Sequence, residues 1–207
     1  MTKFMSLGRA LALLAAASLV LLWPPEADAK GSSAAAQDRP SRRRIQGTVV
    51  AIGGRAAGRS RPFSLIINNY TAPNEVERLD EALRSGGQDD LLRTLRRMDA
   101  GRIAVGNNVG VTANAIISTP REGGGSRVIV LFERNLQFYE LRYGTRSENY
   151  RFGYAEIILD ERGRGEGTFI PAARVRLRDG NTWEVEDFGT FPARIMGARA
   201  SGGVRGR

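Results

Sequence analysis

The chain contains no histidine and no cysteine among its 207 residues. The lack of histidine removes the commonest general base, the Ser-His-acid triad and the usual zinc and copper ligand sets. The lack of cysteine removes thiol nucleophiles, iron–sulfur clusters and disulfide bonds. We therefore expect no cofactor, and a hydrophobic core has to stabilise the fold.

Lysine is nearly absent, whereas arginine is abundant. Lys3 and Lys30 are the only lysines, and the basic residues number 31 against 22 acidic ones, which gives a formal net charge of +9. Because so little lysine is present, a Ser-Lys catalytic dyad is effectively excluded. Carboxylate chemistry and calcium or magnesium sites with oxygen ligands remain available.

The first thirty residues have the pattern of an export signal. Residues 1–9 carry two basic side chains, residues 10–23 are apolar apart from one serine, and Ala27-Asp28-Ala29 has the small-x-small pattern of a cleavage site. The apolar run is shorter than the roughly 20 residues that cross a bilayer as a helix. We expect residues 1–29 to be a signal peptide that is cleaved before Lys30. The protein would then work in the periplasm, at the envelope or outside the cell, with no transmembrane segment left.

The excess positive charge lies near the two ends of the mature chain. Residues 30–44 and 197–207 are rich in Arg, Gly, Ser and Ala and poor in large apolar groups, so we expect a disordered linker and a disordered tail. Arg42, Arg43 and Arg44 form the densest basic cluster. It would attach the protein to an anionic envelope component, the alternative being a role in solubility alone. Nucleic acid is not an expected partner, because export and the lack of a recognition motif argue against it.

Residues 45–196 are predicted to form a single β-rich domain. The expected class is α+β, mainly β, with an antiparallel sandwich or open barrel. Thr71 as N-cap and Pro73 in the first turn introduce two antiparallel helices at about 72–99, which are joined at Ser85-Gly86-Gly87. The predicted strands are Ile45–Ile52, Phe63–Ile67 and, in the part of the chain after Ile103, Val109–Ile117, Arg127–Phe132, Phe138–Tyr143, Tyr150–Leu159, Thr168–Leu177, Trp183–Phe188 and Phe191–Ile195.

One hairpin has a register that the sequence alone predicts. A three-residue loop at 179–181 places apolar side chains on one face and opposite charges on the other, whereas a two-residue turn would mix the faces. The expected pairs are Leu177 with Trp183, Val175 with Val185, Arg176 with Glu184 and Arg174 with Glu186.

The glycine-rich run Gly163 to Gly167 resembles a phosphate loop only superficially. It lacks the Walker lysine and a following helix, so glycines at period two indicate a hairpin end that another backbone approaches closely. Asp160 and Glu161 beside it are lesser candidates for a calcium site. An ordinary turn is favoured over calcium, because the EF-hand spacing is missing.

Two acids are the candidates for catalysis. Glu184 and Glu186 share a face but have arginine partners, which lower the pKa of a carboxylate and disfavour a proton donor. Glu156 and Asp187 are therefore the better pair for hydrolysis of an envelope glycan, against the alternative that they are salt-bridged or solvated.

Aromatic and arginine residues cluster in the second half of the chain. Tyr143 and Tyr150, with Arg142, Arg146 and Arg151 nearby, would form a pocket for an apolar ligand with an anionic group. The alternative is that the aromatic rings only fill the core.

Three segments resemble exported bacterial proteins of a family with no assigned function. They are FSLIINNYTAPNEVERLDEAL, NYRFGYAEIILDERGRGEGTFIPAARVRL and WEVEDFGTFPARI. The resemblance implies a secreted single domain and supplies no catalytic residue, ligand or partner.

The first hypothesis is thus an exported, non-enzymatic module that binds an envelope protein or an apolar-anionic envelope ligand. The alternatives are a carboxylate-dependent hydrolase of envelope glycans and an accessory subunit that pairs through an exposed strand edge.

Overall fold

A computed structural model describes residues 43–53, 57–134, 149–178, 182–188 and 193–202. These residues form one helix, α1 (Pro73–Leu95), and ten strands. The strands are β1 (Arg43–Ala51), β2 (Ser60–Ile67), β3 (Gly101–Val105), β4 (Val111–Ala113), β5 (Ala115–Pro120), β6 (Ser126–Glu133), β7 (Phe152–Leu159), β8 (Arg164–Arg178), β9 (Thr182–Asp187) and β10 (Ala193–Ser201). The predicted strand Phe138–Tyr143 lies outside the described residues.

All strands belong to one antiparallel sheet that curls into a nearly closed barrel. The order is β4-β3-β2-β1-β10-β8-β7-β6-β5, and β9 pairs with the far half of β8. The two end strands, β4 and β5, follow each other in the chain with only Asn114 between them, so the chain itself brings the ends of the sheet together. This confirms the mainly-β antiparallel fold, and its architecture is the barrel-like one.

Asn114 explains why the predicted strand Val109–Ile117 is wrong. Its side-chain Nδ2 donates to the carbonyl oxygen of Met98 at 3.1 Å, and its Oδ1 accepts the backbone N–H of Glu133 at 2.9 Å. Because the buried amide bonds to two separate segments, the chain leaves one end of the sheet at Ala113 and joins the other end at Ala115.

The helix begins one residue later than predicted. Ala72 is the N-cap, Pro73 is the first helical residue, and the Ala72 N–H donates to Glu75 Oε2 at 2.9 Å. Thr71 is therefore not the cap. It lies beside Ile116 and exchanges hydrogen bonds with it along the outer edge of β5.

The residues predicted to form two helices lie in α1, which consists of two helical segments on either side of a kink at Gly87. Gly87 has φ 62° and ψ −146°, and helical hydrogen bonding resumes directly after it. A glycine takes this backbone conformation at little steric cost, so one residue is enough to kink the helix. The kink is where the sequence predicted the break between two helices.

Helix α1 packs on the outer face of the sheet. Its buried leucines share a hydrophobic cluster with outward-facing side chains of β6, β7 and β8, among them Leu131, Phe152 and Val175. The inner face of β7 carries Ala155 and Ile157, which pack in the barrel interior. Strand β7 is consequently buried on both faces, which accounts for its nearly continuous apolar sequence.

The glycine-rich run lies where strands crowd together. A Cβ atom on Gly165 would be 1.7 Å from the carbonyl oxygen of Ile158, and one on Gly167 would be 2.0 Å from that of Glu156. Real side chains do not fit at such distances. The predicted close approach of another backbone, that of β7, is confirmed.

The predicted register of the β8–β9 hairpin is confirmed at all four pairs. Its charged side chains, however, pair diagonally: Arg176 binds Glu186, and Arg178 Nη2 lies 3.3 Å from Glu184 Oε1. Residues 179–181 of the loop lie outside the described residues.

Both basic segments are shorter than the sequence suggested. Strand β1 begins at Arg43, and β10 continues to Ser201 between β1 and β8. Ala198 is only 1% exposed, so residues 197–201 are part of the domain and not of a tail. The small, apolar Ala198 side chain, which sequence composition assigned to a tail, fills a narrow part of the core.

Candidate functional site

The predicted aromatic and arginine pocket is only partly described by the structure. Arg142, Tyr143 and Arg146 lie outside the described residues, so their role stays a prediction. The Tyr150 hydroxyl donates to Glu186 Oε1 at 2.8 Å, and its ring packs edge-on against Phe188 with centroids 5.0 Å apart.

The hydrogen bond to Glu186 raises the pKa of Tyr150. Arg151 donates to Asp89 Oδ1 at 3.1 Å. Both described members of the predicted site, Tyr150 and Arg151, are therefore engaged with other side chains of the domain.

The candidate catalytic acids do not form a pair. Glu156 accepts hydrogen bonds from Arg127 Nε at 2.6 Å and from the Tyr154 hydroxyl at 3.1 Å. Asp187 of β9 pairs with Ala173 of β8, and Ala173 in turn pairs with Phe152 of β7. Glu156 lies four residues beyond Phe152 along β7, so the two acids are separated by two strand spacings across the sheet and four residues along it. Strand geometry puts their Cα atoms about 16 Å apart. The carboxyl groups of glycosidases are roughly 5 to 9.5 Å apart, so this arrangement does not favour hydrolysis.

Tyr154 is part of the same outer-face network. Burial, followed by the charge of Glu156, raises the pKa of Tyr154 to about 12. The tyrosine stays protonated at neutral pH and serves as a hydrogen-bond donor that holds the Glu156 carboxylate.

Asp160 organises a turn. Its Oδ1 accepts the backbone N–H groups of Arg164 and Arg162 at 2.8 and 2.9 Å, and these bonds, led by the one from Arg164, lower the pKa of the carboxyl group. Glu161 lies across Gly124. Within the described residues, no three acidic side chains gather as metal ligands.

Of the basic cluster at 42–44, Arg42 lies outside the described residues and Arg43 and Arg44 are exposed at the start of β1. The Arg43 guanidinium lies over the Tyr70 ring, 5.6 Å from its centroid. Arg43 has the same strand parity as buried Ile45, so it belongs to the inner face of the sheet at one end of the barrel.

That end opens into a cavity of about 800 Å³, which we name the Arg43 mouth. Its floor is formed by the core residues Ile45, Ile67 and Leu159. Charges of both signs lie on its rim, since Arg43 and Arg162 are there together with Asp160 and Glu161. The Arg43 mouth therefore has no net preference for an anion.

The opposite end has a different character. A cavity of about 320 Å³, which we name the Arg61 mouth, lies beside the turn between β3 and β4. None of the described residues that line it is charged, and the side chains are mainly aliphatic or aromatic. Two of these lining residues, Phe132 and Phe169, stack on each other with ring centroids 6.3 Å apart.

Arg61 is not one of the residues that line this mouth, but it lies beside the turn that borders it. It precedes buried Phe63 by two residues, which places it on the inner face of β2, and its Nη1 lies 3.6 Å from the position that a Cβ on Gly106 would take. Gly106 is in the turn that borders the cavity. None of the ion pairs that join described residues includes Arg61.

Arg61 was missed by the sequence analysis, in which the second strand began at Phe63. The signal was present, because Arg61, Phe63 and Leu65 continue one alternating face. An arginine at the end of an apolar face indicates a cation at the rim of a barrel, but only the closed topology shows which strands meet there.

Comparison of the chain with protein-family models, with curated proteins and with solved structures finds no match. In the part of the chain that the structure describes, no helix has the length and apolar character needed to cross a membrane.

Proposed function

We propose that this protein is an exported, non-enzymatic module of the envelope or periplasm that binds an apolar-anionic envelope ligand in the Arg61 mouth. The observation that carries the proposal is the guanidinium of Arg61 beside the β3–β4 turn, next to a cavity with an apolar lining. The mouths of barrels are common positions for ligand sites, and such sites are mostly apolar with a few polar groups that orient the ligand.

The charge at this mouth supports an anionic ligand. A guanidinium presents several N–H donors in a planar fork that matches carboxylate or phosphate oxygens. Since the lining of the Arg61 mouth contains no carboxylate, no lining side chain repels an incoming anion. The basic residues that precede β1, including Arg42, would add a salt-sensitive attraction to anionic envelope surfaces.

The test uses 8-anilinonaphthalene-1-sulfonate, a fluorescent apolar anion. Wild-type protein should bind one molecule saturably, and Arg61→Ala should weaken binding roughly ten- to hundredfold, because a hydrogen bond to a charged group contributes about 1.5 to 3 kcal/mol. Arg194→Ala is the matched control, because Arg194 is exposed on the outward-facing side of β10, where its neighbours Ala193 and Ile195 point into the core.

Equal binding by the wild type and Arg61→Ala would contradict the proposal. This dye also binds partly unfolded states, so each variant must retain the near-ultraviolet circular dichroism of the wild type.

A second candidate function is an accessory subunit. Among the described strands, β9 pairs with β8 alone, which leaves its other edge available for an added strand. A partner protein should then co-purify in mild extracts and dissociate when Val185→Pro removes a backbone donor from β9. Purification without any stoichiometric partner would argue against this function.

A further inference from the structure

We propose that the outer face of strands β10, β1, β2 and β3 binds an acidic polysaccharide through Arg44, Arg102 and Arg199. We name these three arginines the arginine row. Their surface is separate from the Arg61 mouth and would bind a partner of its own.

The fold brings together three parts of the sequence that contain no acidic residue. Residues 39–74, 100–121 and 188–207 have neither aspartate nor glutamate. They supply β1 to β5 and β10, and the order β10-β1-β2-β3-β4 is continuous in the sheet. The acids of the described strands all belong to β6, β7, β8 and β9. One half of the sheet therefore carries basic side chains and no acidic ones.

The arginine row crosses the outer face of that half. Arg44 and Arg102 pair with Ile66 of β2 from opposite sides. Arg199 of β10 pairs with Gln46, two residues after Arg44 on β1. Each of the three arginines is exposed and adjoins a buried residue in the chain, so its side chain points outward. Strand geometry puts the Cα atoms of Arg102 and Arg199 about 16 Å apart.

The guanidinium groups of the row are available to an anion. None of the ion pairs that join described residues includes Arg44, Arg102 or Arg199. Asp99 and Glu133 line one cavity with Arg102, but neither forms an ion pair with it, and Glu133 is held by another arginine. A planar fork of guanidinium N–H groups matches two oxygens of an oxyanion.

The side chains between the arginines are polar and uncharged. Gln46 and Thr48 of β1 and Ser64 of β2 lie on the same outer face, and Gln46 pairs with Ser64. Amide and hydroxyl side chains both donate and accept hydrogen bonds, as the hydroxyl groups of a sugar do. The face therefore fits a polymer that carries hydroxyl groups as well as repeated oxyanions.

The shape of the face favours a flexible polymer over a membrane. Because the sheet curls into a barrel, the outer face is convex and would touch a planar bilayer only along a line. Among the described residues that pack between α1 and the sheet, none belongs to β10 or to β1–β4, so the helix does not cover this face. Binding at a membrane surface also uses exposed apolar side chains. In the described part of these five strands, Met196 is the only large hydrophobic residue that is exposed.

The experiment measures binding of polygalacturonate to the chain from Lys30 onward by calorimetry, with uncharged dextran as the comparison. Wild type should bind polygalacturonate and not dextran, and added salt should weaken binding because the arginines are exposed. Arg44→Ala combined with Arg199→Ala should weaken binding roughly tenfold, which corresponds to up to about 1 kcal/mol for each exposed ion pair. Adding Arg102→Ala should weaken it further. A wild type that does not bind polygalacturonate would overturn the inference.

The matched control is Arg121→Ala combined with Arg194→Ala, which removes the same charge away from the row. Arg121 is exposed just after β5, and Arg194 pairs with Val50, six residues along β1 from Arg44. This control should bind nearly as tightly as wild type. Equal weakening by the two double variants would mean that net charge alone attracts the polymer and would overturn the inference. If a double variant does not fold, Arg199→Ala against Arg194→Ala makes the same comparison.

Two further probes identify the partner. Dextran sulfate that binds as tightly as polygalacturonate would assign the shared oxyanion chemistry, and a preference for one polymer would identify the anionic group. Phosphatidylglycerol vesicles that bind more tightly than either polymer, with the same loss in the row variants, would overturn the inference in favour of a membrane.

Arg61→Ala separates this inference from the function proposed for the Arg61 mouth. Arg61 lies on the inner face of β2, so its removal should leave polygalacturonate binding close to that of wild type. Loss of dye binding in Arg61→Ala with retained polysaccharide binding supports both proposals. If polygalacturonate binding depends on Arg61 and not on the arginine row, the inference fails whatever the dye shows.

Discussion

Thr71 and Ile116 exchange two hydrogen bonds. The Thr71 N–H donates to the carbonyl oxygen of Ile116 at 2.8 Å, and the Ile116 N–H donates to Thr71 Oγ1 at 2.9 Å. Strand β5 would otherwise present a free edge at the seam of the barrel. The side chain of Thr71 thus takes the place of a backbone carbonyl and closes the seam with a segment that is not a strand.

Thr71→Val should lower the free energy of unfolding by about 1 to 3 kcal/mol, because it leaves the buried Ile116 N–H without an acceptor. Thr71→Ser keeps the hydroxyl and should lose much less. Urea denaturation of the two variants measures the difference. Equal losses would mean that the hydroxyl does not stabilise the seam.

Gly167→Ala should destabilise the domain by roughly 1 to 3 kcal/mol or more, because the added Cβ would overlap the carbonyl oxygen of Glu156 and push β8 away from β7. Glu166→Ala is the control, since Glu166 is exposed and its neighbour is the glycine under test. Thermal unfolding of the Gly167→Ala and Glu166→Ala variants measures the loss of stability caused by each substitution. A Gly167→Ala protein as stable as Glu166→Ala would contradict the close approach of the two strands.

Asp160→Asn should destabilise the domain at neutral pH, and the difference from wild type should shrink on acidification. The backbone N–H of Arg164, followed by that of Arg162, holds the pKa of Asp160 below its ordinary value. A carboxyl group with a lowered pKa stabilises the folded state above the pKa that it has in the unfolded chain, and this contribution is lost as the pH falls through the lowered value. Denaturation midpoints across the acid range test this, and a difference that does not change with pH would refute it.

The export hypothesis predicts that the mature chain begins at Lys30. The pattern Ala27-Asp28-Ala29 predicts cleavage directly before Lys30. Intact-mass measurement of the protein from the producing cells determines its N-terminal residue. Ala29→Arg should block processing at this position. A protein that keeps residues 1–29 would contradict the export hypothesis on which the choice of ligand source depends.

The sequence predicted local features well where one physical cause dominates. The β8–β9 register follows from alternating polarity and opposite charges, and the break at Gly87 follows from two adjacent glycines. The closure of the sheet could not be predicted in this way. It depends on Asn114, whose amide binds Met98 and Glu133, residues far apart in the chain.

The candidate site was harder to predict than the fold. Glu156 and Asp187 belong to β7 and β9, and nothing in their local sequences shows that β8 lies between them. Arg61 becomes a candidate only when the cavity formed by β3, β4, β6 and β8 is seen beside it. Local sequence patterns predict where strands lie and which side chains share a face. A ligand site at the end of a barrel can be predicted only when the order of all the strands in the sheet is known.

The central claim is that Arg61 at its apolar mouth binds a component of the envelope. It is tested most directly by co-sedimentation of the chain from Lys30 onward with isolated cell envelope at low and high salt, beside Arg61→Ala and Arg194→Ala. High salt screens the basic segments, so wild type and Arg194→Ala should still sediment, whereas Arg61→Ala should remain in the supernatant. Loss of all three proteins from the envelope at high salt, or equal retention of all three, would contradict the claim.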